Sequence, residues 1–239
     1  MRIGVIGSGS MGRILASKLA KVGHDVSIAN SKGPESLSAL ASEIGAGAAS
    51  VVDTVRADVV VLAVPTRAVV ELPPRLFADV RADVVVIDLG NYHPELRDGR
   101  IDAIERGMLD SEWVAERIGR PVIKAFNSIL AASLLDKGAP RGAQGRIALP
   151  VAGDLPHEKA VVQGLVDDLG FDPVDAGTLD DSWRQQTGAP AYCKDLDVDA
   201  LVRALARADR RLIAQYRAQR EADLRQMMQA RSAASTTPA

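Results

Sequence analysis

The chain has 239 residues, 47% of them apolar and 25% charged, enough to bury the core of one Rossmann-sized domain with a small appendage. A formal net charge of −2 without a basic cluster, and 3% aromatic residues, argue against nucleic acid as a partner. No apolar run approaches membrane-spanning length.

Residues 1–6 form a short apolar strand, followed by Gly7-Ser8-Gly9-Ser10-Met11-Gly12 and a helical face of Ile14, Leu15, Lys18, Leu19 and Val22 that Gly23 closes. A strand, a GxGxxG turn and a helix in this order open a dinucleotide-binding βαβ unit. Gly7 makes the turn, Gly9 lets backbone reach a pyrophosphate, Gly12 permits close packing, and the helix N-terminus at Ser10 and Met11 offers N–H groups to phosphate. The second strand, 25–29, ends in Asn30-Ser31-Lys32. NAD enzymes place Asp or Glu there for the ribose hydroxyls; a hydroxyl and an ammonium suit a 2′-phosphate, so NADP is the expected cofactor.

A crossover helix is expected over 34–44, then a short strand or turn plus a helical turn over 46–57. The run 59–64 is apolar on both faces, as a buried parallel strand is, and stops at Pro65. A helical segment over 68–77, broken by Pro73-Pro74, leads to another apolar strand, 84–88, and a loop-rich region, 89–110. Next come a helix at 111–118, a strand at 121–126, a helix at 129–135, a strand at 146–152, a helix at 156–169 and a strand at 171–175. After a short helix at 179–186, one long helix is expected over 198–230, with Leu201, Leu205, Leu212, Tyr216, Leu224 and Met228 at helical steps. Its length points to a homodimer interface. The last residues, 231–239, read as a disordered tail. The expected fold is α/β: a Rossmann doubly wound parallel sheet over 1–176 with a small C-terminal helical region over 177–230.

Ligands of open parallel sheets lie at the strands' carboxyl ends, so the candidates are Gly7 to Gly12, Asn30 to Lys32, Pro65-Thr66-Arg67, Asp88 to His93 and Asn127-Ser128. Thr66 and Ser128 read most simply as caps of the next helices. Asp88 and His93 read either as a proton-transfer pair or as turn residues, with the turn favoured because nothing orients the histidine. No metal site is expected. The single cysteine, Cys193, allows no internal disulfide, and the chain begins with a strand rather than a leader, so a cytoplasmic protein is expected.

The stretches GSGSMG, ANSKGPESL, LAVP at 62–65, VIKAFNSI at 122–129 and DAGTL at 175–179 resemble the NADP-binding oxidoreductases of the F-420-dependent NADP reductase family, bacterial branch. The resemblance implies hydride transfer between NADP(H) and a second planar redox partner, a deazaflavin or flavin. It places the pyrophosphate on Gly7, Ser8, Ser10, Met11 and Gly12, the 2′-phosphate on Ser31 and Lys32, and the nicotinamide half beside Val64 and Pro65. Transfer between stacked rings needs placement more than acid or base, so no Lys-Asp or Tyr-Lys relay is expected; Ala125, Phe126 and Asn127 would shape the floor under the rings. The segment 188–197 departs from the deazaflavin-using pattern, which leaves a free flavin, a quinone or a small imine or ketone as acceptors. A pyrroline-carboxylate-reductase-like enzyme and a non-catalytic NADPH-binding sensor are the alternatives.

Overall fold

A computed structural model of the chain describes residues 1–235, with side chains through Ala230. The first βαβ unit is β1 (Arg2–Ile6), α1 (Ser10–Lys21) and β2 (Asp25–Ala29). A 3-10 turn (Pro34–Leu37) runs into α2 (Ser38–Ile44), and β3 (Gly47–Ala48) and α3 (Val51–Thr54) lead to β4 (Val59–Leu62). The expected helix after Pro65 is a 3-10 segment, Thr66–Glu71, because Pro73-Pro74 denies it a second α-helical turn. β5 (Val85–Asp88) follows, then a π-type turn (Pro94–Asp98), α4 (Asp102–Glu105), α5 (Asp110–Ile118), β6 (Ile123–Lys124) and α6 (Ala131–Asp136).

These strands form one parallel sheet in the order β3-β2-β1-β4-β5-β6, the doubly wound order of two mononucleotide-binding halves. Alternation along the apolar strands explains its two-sided burial. Val59 and Val61 pack on one face with Ile3, Val5, Leu15 and Leu19, while Val60 and Leu62 pack on the other with Val86, Trp113 and Val114.

Beyond β6, β7 (Ala148–Val151), α7 (Pro156–Asp168) and β8 (Asp172–Asp175) make a second parallel pair. It joins the main sheet at one antiparallel bridge, in which the Lys124 and Ala152 N–H groups donate to each other's carbonyls at 2.8 and 3.0 Å. A 3-10 segment, Leu179–Gln185, then folds back beneath the crevice.

The single long C-terminal helix is in fact two, α8 (Val198–Arg207) and α9 (Ile213–Ser235), separated by a short 3-10 turn. Ala208 and Asp209 are extended, and the Asp209 carboxylate accepts from the Arg211 N–H at 3.0 Å, so an N-cap residue restarts the chain where the apolar periodicity runs on. The two helices bury unlike faces. α8 sets Leu201, Ala204 and Leu205 on the β7–β8 pair; α9 buries Arg217 and Glu221 and leaves Met227 and Met228 exposed. α9 continues to Ser235, past the point where the tail was expected to begin, and 236–239 lie outside the described residues.

Candidate functional site

A cleft of 580 Å³ opens where β1, β2 and β4 end. Its wall includes Gly7, Ser8, Gly9, Asn30, Ser31, Val64 and Pro65, seven of the eleven residues expected to bind the cofactor. Gly7 has φ of 118°, in the region a side chain disfavours, and a methyl there would meet the Ala63 carbonyl. A methyl on Gly12 would run into the Gly7 carbonyl, which accounts for the close passage of α1 over the turn. Gly9 differs: a methyl there would meet no atom within 4 Å. Close packing thus demands Gly7 and Gly12, while Gly9 faces open space.

Gly9 is also the N-cap of α1; no side chain caps the helix and no acidic residue stands in its first turn. The N–H groups of its first turn, from Ser10, Met11 and Gly12, are therefore left to an anion. Lys32 lies just outside the cleft wall, exposed between Ser31 and Gly33, which both line it. Asn30 serves the loop itself: its Oδ1 accepts the Lys32 N–H at 2.8 Å and its Nδ2 donates to Ser36 Oγ at 3.1 Å. This set fits a dinucleotide with a 2′-phosphate. There is room over Gly9, there are unpaired donors at the helix end, and the three residues directly after β2, Asn30-Ser31-Lys32, bring a cation and no acid, with Glu35 further along the loop.

The β5 and β6 ends are built otherwise. Contrary to expectation, a lysine-aspartate pair is present: Lys124 Nζ lies 3.1 Å from Asp88 Oδ2, with both side chains buried. Lys124 also donates to the Gly90 carbonyl, Ser111 Oγ donates to Asp88 Oδ2 at 2.6 Å, and the Gly90 N–H donates to Asp88 Oδ1 at 2.7 Å. At 0% and 2% side-chain exposure neither group reaches the cleft, so the pair is a strut for the Gly90 turn rather than a relay. The signal was available in the sequence. A lysine inside the apolar run 122–126 must find a buried partner, and Asp88 is its register partner across the sheet.

Asp88 and His93 do not come together. The buried His93 faces Glu221 of α9 at 3.8 Å, and burial followed by the Arg97 charge lowers its pKa to about 4. Thr66 and Ser128 cap nothing: Pro65 and Leu130 hold the cap positions, without side-chain bonds.

Phe126 is buried in the core with φ of 59°, an uncommon conformation for a bulky residue. Asn127, equally buried, spends its polar atoms on protein. Its Nδ2 donates to the Gln185 carbonyl at 2.7 Å and to Asn91 Oδ1 at 3.1 Å, and its Oδ1 accepts from Gln185 Nε2 at 3.1 Å. Both therefore lie beneath the crevice surface. Asn91 and Tyr92, from the candidate stretch Asp88 to His93, complete this end together with Arg217 and Glu221, which periodicity did not single out. Asn91 Nδ2 donates to the Asn127 carbonyl, Arg217 lies 4.6 Å over the Tyr92 ring, and Glu221 accepts the Glu95 N–H at 3.2 Å.

The family model described as NADP oxidoreductase, coenzyme F420-dependent, matches residues 2–92, the segment that carries the whole cleft. Among solved structures, the chain is 33% identical to the hypothetical protein SMa0349 of Sinorhizobium meliloti, over 82% of this chain and 95% of that one, with a TM-score of 0.70. It is 25% identical to a candidate F420-dependent NADP-reductase of Arthrobacter sp. FB24, over 76% and 87% of the two chains, with a TM-score of 0.64. The protein YjhV of Escherichia coli (strain K12) is 48% identical over 65 residues, a match spanning 27% of this chain and 47% of YjhV. With the glycine turn, the uncapped helix and the sheet order in agreement, the chain belongs to the coenzyme F420-dependent NADP oxidoreductase family.

Proposed function

We propose that the cleft binds NADP(H) and that the protein transfers a hydride between it and a second planar redox partner of the deazaflavin or flavin type. The observation that carries the reading is the pairing of open space at Gly9 with an uncapped α1, beside a β2 that is followed directly by Asn30-Ser31-Lys32 rather than by an acid. Bound there, NADP(H) supplies the hydride; the chain binds and orients. Gly7 to Gly12 receive the pyrophosphate, the loop that Asn30 shapes receives the adenosine end with its 2′-phosphate on Ser31 and Lys32, and Val64 and Pro65 flank the nicotinamide half. Phe126 and Asn127 shape the acceptor end through the backbone they fix, since their own side chains are enclosed. Placement between two rings is all this chemistry asks, and a strut such as Lys124–Asp88 provides rigidity rather than a proton.

The protein is read as cytoplasmic, and no helix among the described residues is long and apolar enough to cross a membrane. A homodimer through the 177–230 region is part of the same reading, supported by Met227 and Met228 at 54% and 64% exposure on α9.

Lys32→Ala should lower the preference for NADPH over NADH about fivefold, the worth of one exposed charge-assisted contact, in a fluorescence titration of both nucleotides. An unchanged ratio removes Lys32 from the site. Stopped-flow oxidation of NADPH against deazaflavin, flavin and cyclic imine acceptors should show turnover with one of the planar ring systems. Turnover with the imine alone would replace the planar partner by an imine substrate, and tight NADPH binding with no turnover would point to a sensor.

A further inference from the structure

The loop after β2 is held in shape by two of its own side chains, Asn30 and Ser36. Asn30 Oδ1 accepts the Lys32 N–H at 2.8 Å, which closes an Asx-type turn around Ser31 and fixes the amide's orientation. The amide nitrogen is thereby directed at Ser36 Oγ, 3.1 Å away, with Ser8 Oγ of the glycine turn at 3.5 Å. Ser36 in turn donates its hydroxyl hydrogen to the Gly33 carbonyl at 2.7 Å. Asn30 occupies the place where NAD enzymes carry an acid for the ribose hydroxyls, but its amide oxygen and nitrogen are already engaged by the loop.

We propose that Asn30 and Ser36 form a positioning clamp that sets cofactor selectivity, presetting the 31–33 turn so that Ser31 and Lys32 meet a 2′-phosphate without reorganisation. The inference rests on the NADP reading above. Its physical basis is preorganisation: two ordered side chains hold a turn whose donors would otherwise lose conformational entropy on binding. Ser36 is exposed and is not part of the cleft wall, and its hydroxyl is engaged by Asn30 and by the Gly33 carbonyl, the two contacts through which the clamp works. Glu35, whose carboxylate lies over Gly33, is the carboxylate in this loop and works against a phosphate there.

The test is the ratio of NADPH to NADH dissociation constants, titrated by nucleotide fluorescence on the full chain. Ser36→Ala should weaken NADPH about fivefold, as for loss of one hydrogen bond, and leave NADH unchanged; Ser36→Thr, which keeps the hydroxyl, should restore the ratio. Glu35→Gln should raise the preference for NADPH by a few fold, and added salt should shrink that gain. An unchanged ratio in Ser36→Ala, or equal weakening of both nucleotides, overturns the clamp while leaving the NADP reading intact. Equal binding of NADPH and NADH by the wild-type chain overturns the NADP reading and the clamp with it.

Discussion

Under the glycine turn, β1 and β4 are apolar on both faces, with Ile3, Val5, Val59 and Val61 at 0 to 1% exposure, and the turn itself presents glycines to the cleft. Under the ends of β5 and β6, by contrast, Asp88, Lys124, Asp110, Arg217 and Glu221 are all buried at 6% exposure or less. The glycine turn carries no buried charge, and its uncapped helix end offers backbone donors of the kind that suit an anion. The second end is held by buried charge pairs, Lys124 with Asp88 and Arg217 with Glu105 and Asp110, and α9 docks on it through Arg217 and Glu221 rather than through an apolar stripe. Shape is thus bought at one end by glycines and at the other by paired ions, which break in different ways.

The largest effect should come from unpairing the strut. Lys124→Met leaves Asp88 buried without its cation and should cost about 3–5 kcal/mol in urea unfolding. The double variant Asp88→Asn with Lys124→Met should recover part of that loss. NADPH affinity of the folded protein should stay within about threefold in either, since the strut does not touch the cleft. A large loss of NADPH binding in the stable double variant would erase the distinction between the two ends.

Acid should act on the same end through His93. The unfolded chain takes up a proton near 6.5, whereas burial and then Arg97, against the opposing pull of Asp98, lower the folded value to about 4. Between those limits the unfolded state binds more protons, so the His93 contribution falls as pH drops through that window, by up to about 3 kcal/mol. Glu221 and Asp110, raised chiefly by burial, titrate with the opposite sign. The histidine's part is therefore read as the stability of wild type minus that of His93→Gln, which should fall by up to about 3 kcal/mol as pH drops from 6.5 to 4. Parallel curves across the window would remove His93 from the account.

The smallest effects on stability lie at the glycine end, where they also separate packing from binding. Gly12→Ala forces a methyl against the Gly7 carbonyl and should cost about 1–3 kcal/mol, together with loss of NADPH binding. Gly9→Ala meets open space, so thermal unfolding should shift by no more than about 0.5 kcal/mol, while NADPH affinity falls about tenfold or more. Equal affinity in Gly9→Ala and wild type would place the pyrophosphate elsewhere.

The contrast also explains what was legible in advance. The glycine end is local in sequence: strand, turn, helix and strand follow within 32 residues, and each leaves a periodic or conformational signature. The Lys124–Asp88 pair is separated by 36 positions and carries no motif, although a charge inside an apolar strand marks its own need for a partner. Asn91, Asn127 and Gln185 meet across 36 and 58 positions, and nothing in the spacing of three amides announces that they bond. The division of the C-terminal helix failed for a related reason. Apolar steps continue in phase through Leu212, so periodicity reads one helix, while a single capping aspartate at 209 and the different surfaces offered to α8 and α9 decide on two.

By itself the sequence determined the doubly wound sheet, the glycine turn and the Asn30-Ser31-Lys32 stretch directly after β2, because apolar periodicity and backbone sterics act over a few residues. Only the tertiary structure decided that Gly9 alone of the three glycines faces open space, that Asn30 is consumed by its own loop, and that the β5–β6 end is a network of buried charges. Those outcomes depend on which distant groups the fold brings within hydrogen-bonding reach, and burial sets the cost of leaving any of them unpaired.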